Sequence, residues 1–221
     1  MTRSAVLDEV ARRLSERDAG HPLRIGIDGV CGVGKSTFAE ELVSRIGSHG
    51  RPAILLDSDG FHHVRAIRYR RGRDSARGYY EDAYDFGALR EFALEPLGPE
   101  GSRRYAVRVH DLATDEIVRE FATAPADAVV VFAATFLQRG DLRELWDEVV
   151  YLDAAIERAE RRGIRRDAVQ LGGADVAARA YASRYMAACR IYLDEEDPRS
   201  RASIVVDHDD PMRPRLVDRR D

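Results

Sequence analysis

Gly29-Val30-Cys31-Gly32-Val33-Gly34-Lys35-Ser36 is the stretch on which the fold of this chain turns. Its spacing is G-x-x-x-x-G-K-[ST], the P-loop that cradles nucleotide phosphates. Lys35 is the only lysine; the rest of the 35 lysines and arginines are arginine. A composition this depleted in lysine keeps one where an ammonium on a flexible stem must reach β/γ-phosphates.

The flanks fit the motif. Leu23 to Asp28 has apolar residues at alternate positions and reads as a strand. After Ser36, Phe38, Leu42, Val43 and Ile46 recur at helical spacing, and Gly47 ends the pattern. Strand, glycine loop, helix lets successive backbone N–H groups converge on phosphate oxygens, with the helix N-terminus adding partial positive charge. The expected nucleotide contacts are Gly29, Gly32, Val33, Gly34, Lys35, Ser36 and Thr37. Ser36 would give its hydroxyl to Mg²⁺.

The chain has 221 residues, 44% hydrophobic and 33% charged, as expected of a soluble globular protein. That length suits one α/β domain over residues 1–221, or a domain with a small insert. A net charge of -4 argues against a broad grip on nucleic acid. No apolar run approaches a membrane span, and no signal-peptide pattern opens the chain. Two cysteines without metal spacing point to a reducing compartment, with the cytoplasm as default. A homo-oligomer remains open.

Strands are expected at 23–28, 53–57, 128–133, 149–152 and 203–206. Helices are expected at 4–17, 35–46, 83–95, 141–147, 155–162 and 174–194, with Asp141 and Asp153 as N-caps. The alternation predicts a parallel sheet covered by helices on both faces. Tyr105, Val107 and Val109 alternate with polar residues ahead of a Thr114-Asp115 turn. This predicts a β-hairpin over 103–121, added to the core sheet.

After the second strand comes Asp57-Ser58-Asp59-Gly60-Phe61-His62-His63. Ligands of open α/β sheets bind beyond the carboxyl ends of the strands. An aspartate there can take a proton from an attacking hydroxyl or hold a metal-bound water. Asp57 and Asp59 can equally be turn residues. His62 and His63 are adjacent and lack a second ligand at zinc spacing. Arginines 65, 68, 70, 71, 73 and 77 crowd the next loop, where most are expected to pair with nearby acids. Arg158, Arg161, Arg162, Arg165 and Arg166 follow the strand Val149 to Leu152. In P-loop kinases a helical lid at this stage brings arginines over the transferring phosphoryl group.

Taken together, these elements resemble the uridine kinase-like P-loop kinases, a group that includes phosphoribulokinase and a type of pantothenate kinase. The resemblance runs from about Leu23 to Pro211. Asp59-Gly60-Phe61-His62 resembles the family's D-x-F-[YH] element, which implies that Asp59 is the catalytic base. Asp82-Ala83-Tyr84-Asp85 resembles D-[AS]-[FY]-D, which implies that Asp82 and Tyr84 lie on the acceptor side. His110-Asp111 stands where the family has an aromatic residue and Asp in a substrate-binding hairpin, so His110 joins them. Arg162 to Arg166-Asp167 resembles the R-x-x-x-R-D lid, here about 155–173. Two departures stand out. Val129 to Phe132 is followed by Ala133-Ala134, where the family has an acid, which helps hold Mg²⁺, and glycine. Asp115 stands near the place of the family's uracil-binding histidine.

The resemblance implies an ATP- and Mg²⁺-dependent kinase acting on a hydroxyl of a small molecule, either a nucleoside or another sugar-like alcohol. Lys35, Asp59, Arg162 and Arg166 would be its catalytic residues, and Ser36 and Asp59 its metal side. The alternative is a nucleotide-binding P-loop protein with little or no turnover, a sensor or scaffold. Ala133 favours that alternative; Asp59 and the arginine lid favour the enzyme.

Overall fold

A computed structural model describes residues 2–217. Six strands form the main sheet: β1 (Leu23–Gly29), β2 (Ala53–Leu56), β5 (Val129–Ala133), β6 (Glu148–Asp153), β7 (Ile204–Asp207) and β8 (Arg215–Val217). Their order is β2-β5-β1-β6-β7-β8. The first five are parallel, and β8 runs antiparallel to β7. β1 and β5 are buried at every position, as strands covered on both faces must be. The expected parallel sheet and its five strands are therefore present, and β8 is an addition.

The N-terminal helix (Arg3–Ser15) buries Val6, Leu7, Val10, Ala11 and Leu14, one stripe at helical spacing. The P-loop helix (Lys35–Ser48) buries Phe38, Ala39, Leu42 and Ile46 against the sheet. The lid helix runs over Ile156–Leu171, longer than the expected 155–162, and stops where Gly172 turns left-handed. The segment expected as a helix over 174–194 spans Ala174 to Glu196, with a π-helical turn at Tyr181–Tyr185.

Four expectations are corrected. The hairpin, β3 (Arg104–Asp111) with β4 (Glu116–Thr123), forms its own two-stranded sheet. It docks at Gly60, where a Cβ would stand 2.7 Å from that of Arg108. The helix expected at 83–95 starts three residues later, at Phe86, capped by Asp85 through Ala88 N (2.8 Å), and runs to Leu97 with a π-helical stretch at Arg90–Leu94. A separate short helix, Ala76–Asp82, precedes it, and between the two His62 and Tyr84 form a β-bridge. Asp141 is not a cap, because Arg139 precedes the 3₁₀ turn at Gly140–Leu145. Asp153 ends β6 and bonds Arg199 Nε at 2.7 Å; the amide at the start of the lid helix, that of Ala155, is held by Asp209 Oδ1 at 2.8 Å.

Among the described residues, no helix is long and apolar enough to cross a membrane.

Candidate active site

The chain leaves β1 towards β2 on one side and leaves its neighbour β6 towards β7 on the other, so a crevice opens beyond their carboxyl ends. A cavity of about 520 Å³ lies there, lined by Gly32, Gly34, Lys35 and Ser36 of the P-loop. Asp59, His62, Arg68, Tyr79, Tyr84, Ala133, Thr135, Arg166, Asp167, Arg184 and Tyr185 face the same space. Gly29, Gly32 and Gly34 hold φ at 143°, 75° and 105°, a region that side-chain-bearing residues rarely adopt. Those angles turn the loop around its centre. Lys35 Nζ currently donates to Gly29 O (2.9 Å), Val30 O (3.0 Å) and Thr135 Oγ1 (3.0 Å). Burial lowers its pKa, so an incoming anion would stabilise the ammonium.

Three residues brace the start of the loop. Asp28 is fully buried: Oδ1 accepts from Gly29 N at 2.7 Å, and Oδ2 from Tyr192 OH at 2.5 Å and Gln138 Nε2 at 3.1 Å. Burial raises its pKa despite those donors. On the loop's other side, His208 Nδ1 lies 2.8 Å from Val33 O. Sequence reading missed all four supports. Asp28 ends the strand read ahead of the motif, but Gln138 and Tyr192 lie 110 and 164 residues away along the chain.

Asp57 and Asp59 separate cleanly. Asp57 Oδ1 accepts from Asp59 N (3.0 Å) and caps the short turn, a structural role. Asp59 faces the cavity with its side chain 61% exposed, and His62 Nε2 stands 3.7 Å from its Oδ1. The neighbouring imidazole holds this carboxylate below its usual range, so it is ionised at neutral pH. Tyr84 also faces the cavity, stacked on His62 (4.4 Å between centroids) and Phe86 (5.3 Å).

The other expected residues do not all converge. Asp82 is buried in ion pairs with Arg70 (2.5 Å) and Arg71 (3.1 Å) and does not line the cavity. His110 is buried under the hairpin turn, its Nε2 3.2 Å from Asp115 Oδ1, and faces a separate small pocket. Both are engaged by neighbouring charges, Asp82 by two arginines and His110 by Asp115. Asp115 also holds Arg65 N (2.9 Å) and Arg68 Nη2 (3.2 Å). Most of the arginine loop is likewise paired, with Arg77 reaching Glu81 and Glu195.

The two lid arginines part company. Arg166 lines the main cavity, clamped by Asp167 through Nε (2.6 Å) and Nη2 (2.9 Å). Tyr181 OH donates to the same carboxylate at 2.6 Å. Arg162 instead donates to the carbonyls of Gly32 (3.3 Å), His208 (3.3 Å) and Asp209 (2.9 Å). It lines a second cavity of about 310 Å³ behind the P-loop, with Thr37, Val33 and His208. Both cavities include Gly32, Gly34 and Arg166.

The wall where β5 ends carries Ala133, Ala134 and Thr135, so no carboxylate stands there. The uncommitted oxygen donors for Mg²⁺ are the Ser36 hydroxyl and the Asp59 carboxylate, since Asp28 is saturated, Asp167 is engaged by Arg166 and Tyr181, and Thr135 accepts from Lys35. Mg²⁺ commonly keeps several waters and takes few protein ligands beside substrate phosphates, so this donor set fits the ion.

A parallel sheet with a glycine loop, a basic lid and a lysine at the loop's end defines a P-loop kinase fold. Residues 24–208 match the Phosphoribulokinase / Uridine kinase family, and the chain belongs to it. It is 25% identical over 152 residues to a uridine kinase of Leuconostoc citreum (strain KM20), covering 68% of this chain and 71% of that protein. It is 28% identical over 154 residues to the uridine kinase of Lactobacillus helveticus (strain DPC 4571), covering 68% and 70%. Among solved structures, a possible uridine kinase from Bacillus stearothermophilus superposes with a TM-score of 0.71 at 24% identity, covering 91% of this chain and 97% of that one. D-glycerate 3-kinase from Cryptococcus neoformans var. grubii superposes with a TM-score of 0.60 at 15% identity, covering 97% of each. The last two likenesses concern the fold.

Proposed function

We propose that this chain transfers the γ-phosphoryl group of ATP to a hydroxyl of a small, sugar-like molecule. One observation carries the reading: Lys35, Asp59 and Arg166 line a single cavity at the carboxyl ends of parallel strands. The two cavities meeting at Gly32 and Gly34 suit a nucleotide lying across the loop. Its base and ribose would take the space behind, near Thr37 and Arg162, with the terminal phosphate in front.

In this arrangement the amides of residues 32–36 hold phosphate oxygens, and Lys35 exchanges two carbonyls for them. Ser36 and Asp59 would hold Mg²⁺, which supplies neutralising charge to the phosphates when bound. Asp59 orients the acceptor hydroxyl and receives its proton. The hydroxyl oxygen bonds to the γ-phosphorus as the bond to the β,γ-bridging oxygen breaks, and ADP leaves. Arg166 is held over the cavity by Asp167 and Tyr181, so its charge is positioned before the phosphoryl group moves.

Asp59→Asn keeps the shape and removes the proton acceptor. Its turnover should fall by roughly two to four orders of magnitude, with ATP affinity much less affected. ADP formation over a panel of alcohols, with calorimetry of ATP binding alongside, is the measurement. Unchanged turnover would end the role given to Asp59. The competing reading, a nucleotide binder with little turnover, rests on Ala133.

A further inference from the structure

The half of the cavity away from the P-loop is built from aromatic rings and one unpaired cation. Arg184 lies in the π-helical turn Tyr181–Tyr185, a local widening that often marks functional sites. Its guanidinium carbon stands 5.1 Å from the ring centroid of Tyr69, 5.0 Å from that of Tyr79 and 5.4 Å from that of Tyr185. Tyr79 ties this group to the phosphate side: its hydroxyl is 3.6 Å from Cys31 Sγ of the P-loop, and its ring packs edge-on against Tyr185 at 4.9 Å.

The cations of this cavity are not equivalent. Arg166 is neutralised by Asp167, and Arg68 shares Asp115. The Arg184 side chain has no ion pair or hydrogen bond among the described residues, and its Nε is buried without a partner. The tyrosines beneath it offer no anion, because burial raises the pKa of Tyr79 and Tyr185. Ring faces hold a guanidinium from its flat sides and leave its N–H edge free for a planar, two-pronged acceptor. A neutral acceptor bound against it would leave this charge desolvated and uncompensated. Arg68 lines the same space but is already paired with Asp115.

We propose that Arg184 reads an oxyanion on the acceptor, a carboxylate or a phosphate, so that the molecule phosphorylated is an anionic alcohol and not a neutral nucleoside. This rests on the kinase reading: Asp59 takes the proton of the hydroxyl while Arg184 holds the other end of the same molecule. A lysine would supply the charge but not the fork.

The test loads the full chain with Mg²⁺ and a saturating non-hydrolysable ATP analogue, then titrates matched pairs by calorimetry. Glycerate is set against glycerol, ribose 5-phosphate against ribose, and uridine is included. At least one charged member should bind about tenfold or more tighter than its neutral partner, and tighter than uridine. Which pair shows the preference distinguishes carboxylate from phosphate. Arg184→Met should erase the preference and leave the affinity for the ATP analogue unchanged, and Arg184→Lys should restore part of it. Thermal melts establish that both variants fold. The proposal falls if uridine or the neutral members bind as tightly as the charged ones, or if no charged member binds. It also falls if Arg184→Met weakens the analogue and spares the preference, which would give the arginine to the nucleotide. A charged member that binds through Arg184 yet yields no ADP with ATP would sink the kinase reading and leave the oxyanion site standing.

Discussion

Gly32 of the P-loop and Ala159 of the lid helix meet backbone to backbone: a Cβ on Gly32 would stand 2.3 Å from the Ala159 carbonyl oxygen. On the same helix, a Cβ on Gly163 would stand 2.2 Å from the ring of Tyr181. Loop, lid helix and the following helix are thus stacked through two glycines. Whatever moves the lid helix moves the phosphate site.

Gly32→Ala should therefore damage both fold and binding. Its φ of 75° alone costs an L side chain about 1–3 kcal/mol, before the clash is counted. Gly163→Ala displaces Tyr181, which holds Asp167 and through it Arg166. That variant should lose more turnover than ATP affinity. Urea unfolding and ATP calorimetry test the pair; a Gly32→Ala protein with unaltered midpoint and affinity would contradict the packing argument.

Asp28 predicts a pH signature. Its folded pKa is raised above the ordinary value of 3.8, chiefly by burial. The folded chain then binds that proton more tightly than the unfolded chain. The associated stability is complete in acid and is lost as pH rises through the folded pKa. Asp28→Asn removes this loss. Comparing urea midpoints at about pH 4 and about pH 8, the variant should gain on the parent protein towards the higher pH. Parallel curves would mean that the buried carboxylate is fully compensated by Tyr192, Gln138 and the Gly29 amide.

The cysteines should differ sharply in reactivity. Cys31 lines the cleft, and its thiol is held below the usual range, first by the Cys189 thiol and then by the Lys35 charge. Cys189 is fully buried and pushed the other way. Thiolate is the reactive form. Iodoacetamide at neutral pH should label Cys31 first, and ATP should slow that labelling. Peptide mapping that finds Cys189 modified first, or no protection by ATP, would show that the cleft thiol is not where the nucleotide goes.

The parallel sheet was legible because short β-branched runs alternate with 3.6-residue periodicity, and the P-loop because its spacing encodes its geometry. Asp59 was legible as a carboxylate just past a strand end. What sequence could not show is which side chains are already engaged. Asp82 and His110 match motif positions, yet Arg70, Arg71 and Asp115 occupy them. Arg162 and Arg166 are one helical turn apart, but one faces backbone carbonyls and the other the cavity. Arg184 had no motif at all; its isolation is a property of three-dimensional neighbours. The brace of Asp28 by Gln138 and Tyr192 depends on contacts that local pattern does not carry.

Ala133 offers the sharpest test of the metal site. It ends β5 opposite Ile27, it lines the cavity, and it is only 9% exposed. A carboxylate placed there would face the P-loop hydroxyl of Ser36 across the cleft. With Ser36 and Asp59 as the remaining protein oxygens, Mg²⁺ would lean on water and phosphate, and one more acid should tighten its hold. Ala133→Asp and Ala133→Glu should both lower the Mg²⁺ concentration needed for half-maximal ATP binding and raise phosphoryl transfer. The shorter side chain fits the crowded strand end better, so Ala133→Asp should cost less stability. A Mg²⁺ titration of ATP affinity and of ADP formation reads both effects. If neither variant shifts the midpoint, Ala133 does not face the ion. If binding tightens while no acceptor is phosphorylated, the chain holds nucleotide without turning it over.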